Sequence, residues 1–169
     1  MSAGAHKDLT ADRRYLHTPE YQKLYADLLC HLLAREFSVN NTFDVPYLGG
    51  YSQDGKTIFF DRRLPQRLFI EDRPVRIAKY LMVHECVEKA LIDTFHLTYE
   101  QAHAIATEVE HRTVLENGLS PAAYERALKP YIREADHETV TYPPPDLDLT
   151  PYRDEKDRRH LIELGVRSG

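Results

Sequence analysis

The chain has 169 residues, 42% hydrophobic and 29% charged, with a formal net charge of −5. That length supports one domain with its own core, and the negative balance argues against a dominant nucleic-acid-binding surface. No apolar run approaches the roughly 20 residues that cross a bilayer, and the polar stretch Met1 to Arg14 lacks the apolar middle of a signal peptide. The expectation is a cytoplasmic protein with neither membrane nor nucleic acid as partner.

Residues 1–14 read as a loose N-terminus, 15–138 as the core, and 139–169 as an extended, Pro-rich and charged C-terminal tail of the same single domain. Thr18-Pro19-Glu20 is a helix start, with Thr18 as cap and Pro19 at the first helical position. Tyr21, Leu24, Tyr25, Leu28, Leu29, Leu32 and Leu33 then make an apolar stripe that carries the helix to about Phe37. Turn residues punctuate Asn40 to Gly55, leaving room for a short strand within Phe43 to Tyr51. Asp54-Gly55 is a hairpin signal, and Lys56 to Asp61 is the strand after it. Arg67 to Ile70 is a helical or extended connector. Asp72-Arg73-Pro74 opens a helix that runs to about Phe95. Thr98 and Gln101 form a capping box for the next helix, which Asn117-Gly118 stops near Leu115. Ser120-Pro121 begins a third helix through Tyr131, and a short one is expected around Arg159 to Leu164. The short links predict antiparallel neighbours. The fold class is α+β, mostly helical, with a small antiparallel β ribbon on a helical core.

Cys30 and Cys86 lie inside apolar helical patterns and read as buried hydrophobes, not a disulfide pair. Arg62, Arg63, Arg67, Arg73 and Arg76 cluster in sequence and read as a solvated face. His31 reads as a satisfied or surface histidine, and His111, His137 and His160 are isolated and read as surface residues. Neither a G-x-S-x-G elbow nor a phosphate-binding glycine loop is present. Glu100-x-x-His103 and Glu108-x-x-His111 have the spacing of di-iron bundles, but both fall on one helix, whereas that site draws on different helices.

The chemistry concentrates in Tyr80 to Glu110. His84 and Glu88 are four apart and share a helical face, on a segment otherwise apolar enough to make charge expensive. His103 and Glu110, seven apart, share a face of the following helix. A hydrolytic metal site needs about three protein ligands, an open position and a nearby carboxylate to take a proton. His84, Glu88 and His103 supply ligands. Glu110 is a further ligand or the carboxylate that fixes a ligand histidine. Glu85 follows His84 by one residue, so it points about 100 degrees round the helix, as a general base must.

Tyr51 to Glu110 resembles the core of the zincin metallopeptidases. Ile58 to Asp61 corresponds to the strand beside the cleft, and His84-Glu85 to the opening of the H-E-x-x-H helix. The resemblance implies a mixed sheet with helices, zinc or another divalent metal, and hydrolysis of a peptide or protein substrate. The chain departs from the motif at Glu88, which stands where the second histidine would be. An anionic ligand lowers Lewis acidity and favours harder metals. The alternative is a non-catalytic helical binding or adaptor module, with or without a structural metal. Its motivation is the 11 tyrosines and the Tyr142-Pro143-Pro144-Pro145 segment.

Overall fold

A computed structural model describes residues 37–132 and 140–168. The helix expected from Thr18, Cys30, His31 and His137 all lie outside the described residues, apart from the non-helical Phe37.

The strands β1 (Ser38–Asn40), β2 (Gly49–Tyr51) and β3 (Thr57–Phe60) form one sheet in the order β1-β3-β2. The β2–β3 pair is antiparallel, as the Asp54-Gly55 turn between them dictates. Gly55 takes the left-handed conformation (φ 66°) that an L side chain resists. Strand β1 adds in parallel on the other edge of β3, so the sheet is mixed.

A second ribbon, β4 (Arg67–Ile70) and β5 (Arg73–Arg76), corrects the expected helix start at Asp72. Glu71 and Asp72 both have positive φ, the backbone of a two-residue hairpin turn. Asp-Arg-Pro resembles a cap followed by a first-turn proline, but Pro74 instead pairs with Phe69 on the ribbon. Leu68, Ile70 and Val75 point into the core; Arg67 and Arg76 face each other in solvent.

Helix α1 (Ala78–Phe95) therefore begins only after the ribbon. It ends at His96, which is left-handed (φ 54°). After Leu97, Thr98 caps α2 (Tyr99–Glu116) through the expected capping box with Gln101. The two helices pack through Val87, Ala90 and Leu91 against Ala102, Ala106 and Val109. The alanines bring the backbones close, which later lets short side chains meet across the seam. Helix α3 (Pro121–Leu128), capped by Ser120, buries Tyr124 and Leu128 in the main core with the ribbon. Among the described residues no helix is long and apolar enough to cross a membrane.

The C-terminal segment, expected as an extended tail, packs. Val140, Leu147, Leu149, Tyr152, Leu161 and Val166 form a second core with Val45 and Phe59. Pro143 and Pro144 are buried, while Tyr142 and Pro145 stay exposed. The helix within it, α4 (Glu155–Glu163), starts at an Asp154 cap. His160 is on its inner face, 7% exposed, with Nε2 hydrogen-bonded to the Val140 carbonyl; the expectation of a surface histidine fails because Leu161 and its neighbours turn that face inward. His111 is partly exposed, with Nε2 2.9 Å from a Glu125 carboxylate oxygen. Cys86 is buried and outside any disulfide.

One buried carboxylate joins the segments. Asp44, fully buried, receives Arg62 and Arg63 on one oxygen and the Thr141 and Tyr142 amides on the other. Burial opposes its charge, but Arg63 and the Thr141 and Tyr142 donors outweigh that and hold its carboxyl well below the usual range. Two of the five arginines of the basic cluster, Arg62 and Arg63, are thus clamped on a buried carboxylate.

Candidate metal centre

Helix α1 turns His84 and Glu88 toward α2, and α2 turns His103 and Glu110 back. Antiparallel packing sets His84 opposite Glu110 and Glu88 against His103. The His84 and His103 rings stand 4.8 Å apart, centroid to centroid. His84 Nε2 is 3.1 Å from His103 Nδ1 and 3.5 Å from Glu88 Oε2, and His103 Nδ1 is 2.8 Å from Glu88 Oε2. A tetrahedral zinc with bonds of about 2.0–2.1 Å spaces its ligands roughly 3.3 Å apart. These three donors are the group among the described residues able to hold an ion.

Glu110 does not join them. Its Oε2 meets His84 on the other ring nitrogen, Nδ1, at 3.0 Å. That hydrogen bond orients the ring and assigns Nδ1 as the protonated nitrogen, leaving Nε2 for a metal. Of the two roles open to Glu110 in the sequence, this geometry corresponds to the supporting one.

Two tyrosines complete the support, and neither stands out in the sequence. Tyr51, at the end of β2, donates to Glu88 Oε1 at 3.1 Å. Tyr124, on α3, donates to Glu110 Oε1 at 2.5 Å. Burial and the neighbouring carboxylates drive both phenols far above their ordinary pKa, so they remain donors. The available signals were weak. Tyr51 lies on the same strand face as Gly49, and Tyr124 sits in an apolar helical stripe.

Glu85 points elsewhere, beneath β2. A Cβ added to Gly49 would fall 2.7 Å from Glu85 Oε1, so only glycine leaves this carboxylate its place. Burial, reinforced by Glu88 and Glu110 and opposed by His84, pushes the Glu85 carboxyl up. Burial disfavours charge on His84, yet hydrogen bonds to Glu110 and Glu88 prevail and raise its pKa to about 10. Burial likewise opposes the Glu88 charge, and His103 and His84 outweigh it to lower its pKa. The metal-free site is therefore a network of shared protons that a cation would displace.

Above these groups opens a cleft of about 250 Å³. His84, Glu85, Glu88 and His103 line it, and Tyr47, Tyr99, Tyr152 and Arg153 wall it. Tyr47, on the cleft wall, and the buried Leu48 that follows it both have positive φ, a strained backbone for non-glycine residues. The arrangement offers three ligand atoms, an open side and a carboxylate with raised proton affinity. No family model matches the chain, and no curated protein or solved structure matches it.

Proposed function

We propose that the chain is a metal-dependent hydrolase of zincin-like type, with His84, Glu88 and His103 as zinc ligands and Glu85 as general base. The observation that carries this reading is the convergence of those three donor atoms, 2.8–3.5 Å from one another, on the floor of an open cleft. A bound divalent metal would supply Lewis acidity there. Glu85 takes the proton of the attacking water as oxygen bonds to the scissile carbonyl carbon. It then delivers that proton to the amine as the carbon–nitrogen bond breaks. Glu110 and Tyr124 hold the His84 ring in register, and Tyr51 holds Glu88. The strand against the cleft is β2, through Gly49 and Gly50, whereas Ile58 to Asp61, the strand expected there, is the interior strand β3 and the residue after it; the zincin likeness rests on His84-Glu85 on a helix beside a mixed sheet. The proposed setting is the cytoplasm and the proposed substrates are peptides or proteins.

The test is elemental analysis of untagged protein together with turnover of unfolded protein substrates. Near-stoichiometric metal, lost in His84→Ala, is expected. Glu85→Gln retains the metal and loses turnover by about a hundredfold or more. Metal below about a tenth per chain, unchanged by His84→Ala, would refute the ligand set. Glu88 favours a second reading, because an anionic third ligand weakens Lewis acidity. Full metal with no turnover, and no effect of Glu85→Gln, would assign a structural metal in a binding module.

A further inference from the structure

Strand β2 is an edge strand, and its hydrogen bonds to β3 alternate. The Leu48 carbonyl accepts from Asp61 N–H, and Ser52 N–H donates to the Thr57 carbonyl. By that alternation Gly50 faces β3, while Gly49 and Tyr51 turn their main-chain groups away from it. Tyr51 is already satisfied there: its carbonyl accepts from Asp148 N–H at 2.8 Å, and Leu147 bridges to Ser52. Gly49 N–H and C=O have no partner among the described residues, and Gly49 lies on the cleft beside Glu85.

The segment that caps Tyr51 then leaves the edge. The Asp148 side chain accepts from Thr150 N–H, and Leu149 C=O accepts from Tyr152 N–H, so the chain turns out and over the cleft. Beyond the turn, Arg153 reaches across to Glu100 at the start of α2 and lies over the Tyr99 ring. The near end is held firmly. The Asp148 carboxylate pairs with Lys89, a buried cation that also pairs with Asp93. Tyr47 donates to Asp157 at 2.6 Å on the far side of the turn.

A ligand strand could therefore pair with Gly49 but would meet Asp148 at the next outward position. We propose that residues 146–154 close one end of the cleft, so that the site takes the terminus of an extended peptide and excludes the middle of a longer chain. This rests on the hydrolase reading above and adds the substrate class: chain ends. It makes residues 146–154 a specificity element, built from a segment far from the ligand helices in sequence.

The experiment uses the full-length, zinc-loaded protein and a single sequence of about ten residues, long enough to overfill the cleft. It is offered with free ends, N-acetylated, C-amidated, blocked at both ends, and cyclised head to tail. Products are read by mass spectrometry, and binding to zinc-loaded Glu85→Gln by fluorescence anisotropy. Cleavage is expected roughly one or two residues from one end, with blocking of that end lowering it about tenfold or more and the cyclic peptide neither bound nor cut. Asp148→Pro removes the N–H that caps Tyr51 and is expected to admit the doubly blocked peptide, whereas Asp148→Asn keeps that N–H and the exclusion. Internal cleavage of the cyclic or doubly blocked peptide by the unmutated protein, within about twofold of the free one, overturns the proposal even if Asp148→Pro fails to fold. Absence of any peptide binding or cleavage overturns it together with the peptide reading. Zinc stoichiometry in the unmutated protein and in His84→Ala then reports separately whether the ligand set stands.

Discussion

His84 has a different duty for each ring nitrogen, and the groups on the two sides are not equivalent. Nε2 faces the donors of the cleft; Nδ1 is held by Glu110, which is held in turn by Tyr124. Removing the outermost hydroxyl leaves every ligand in place but loosens the ring. Tyr124→Phe is expected to weaken zinc affinity by about tenfold and stability by roughly 1 kcal/mol. Competition with a fluorescent chelator measures the first and urea unfolding the second. An affinity indistinguishable from that of the unmutated protein would reduce Tyr124 to a packing residue. Gly49→Ala probes the other side of the helix. The new methyl must displace Glu85, so turnover is expected to fall while zinc content holds. Loss of both would mean that β2, not the carboxylate, had moved. The paired residues His84–Glu88 and His103–Glu110 were legible because helical spacing puts them on common faces, and a short link folds one face onto the other. Tyr51 and Tyr124 were not, since a buried tyrosine in an apolar pattern looks the same with or without a carboxylate at its hydroxyl.

Among the elements, the α1–α2 hairpin follows most directly from local chemistry. Thr98 and Gln101 satisfy the first amides of α2 reciprocally, and the antiparallel seam depends on where that helix starts. Thr98→Ala is expected to cost about 1 kcal/mol, read as a lowered thermal midpoint with the helix content of the folded state unchanged. The β4–β5 ribbon shows the opposite situation. Its turn, Glu71-Asp72, has none of the glycine or asparagine that usually announces two left-handed residues, and Pro74 in a strand suggests anything but a strand. Alternation was present in Leu68 and Ile70, but the span was too short to separate from one helical turn. The start of α1 was misplaced for the same reason.

At the scale of the whole molecule, Asp44 joins the β2–β3 region to the C-terminal segment. It is buried, accepts two guanidinium groups, and receives amides from Thr141 and Tyr142. Asp44→Ala would strand those donors, and a loss of about 3–5 kcal/mol is expected. Because the folded carboxyl has a depressed pKa, its contribution is complete above the unfolded value of about 3.9 and disappears as pH falls toward the folded one. Acid unfolding should therefore steepen below about pH 4, and Asp44→Asn should lower stability at neutral pH while flattening that acid limb. An unchanged acid limb would remove Asp44 as the cause. The packing of residues 140–168 was hidden in the sequence because its apolar residues are sparse and scattered among charges, with no single period. They meet only after Phe59 and Val45 provide a surface.

The left-handed pair Tyr47 and Leu48 has its own implication for how the protein is made. Two adjacent residues that resist this backbone need their surroundings to hold them, and Tyr47 is tied to Asp157, far downstream. During synthesis the ribosome releases the ligand-bearing hairpin well before that anchor. Nascent chains would thus carry the metal-binding side chains while the rim above them is still free to relax, and only completed ones would acquire a shaped entrance.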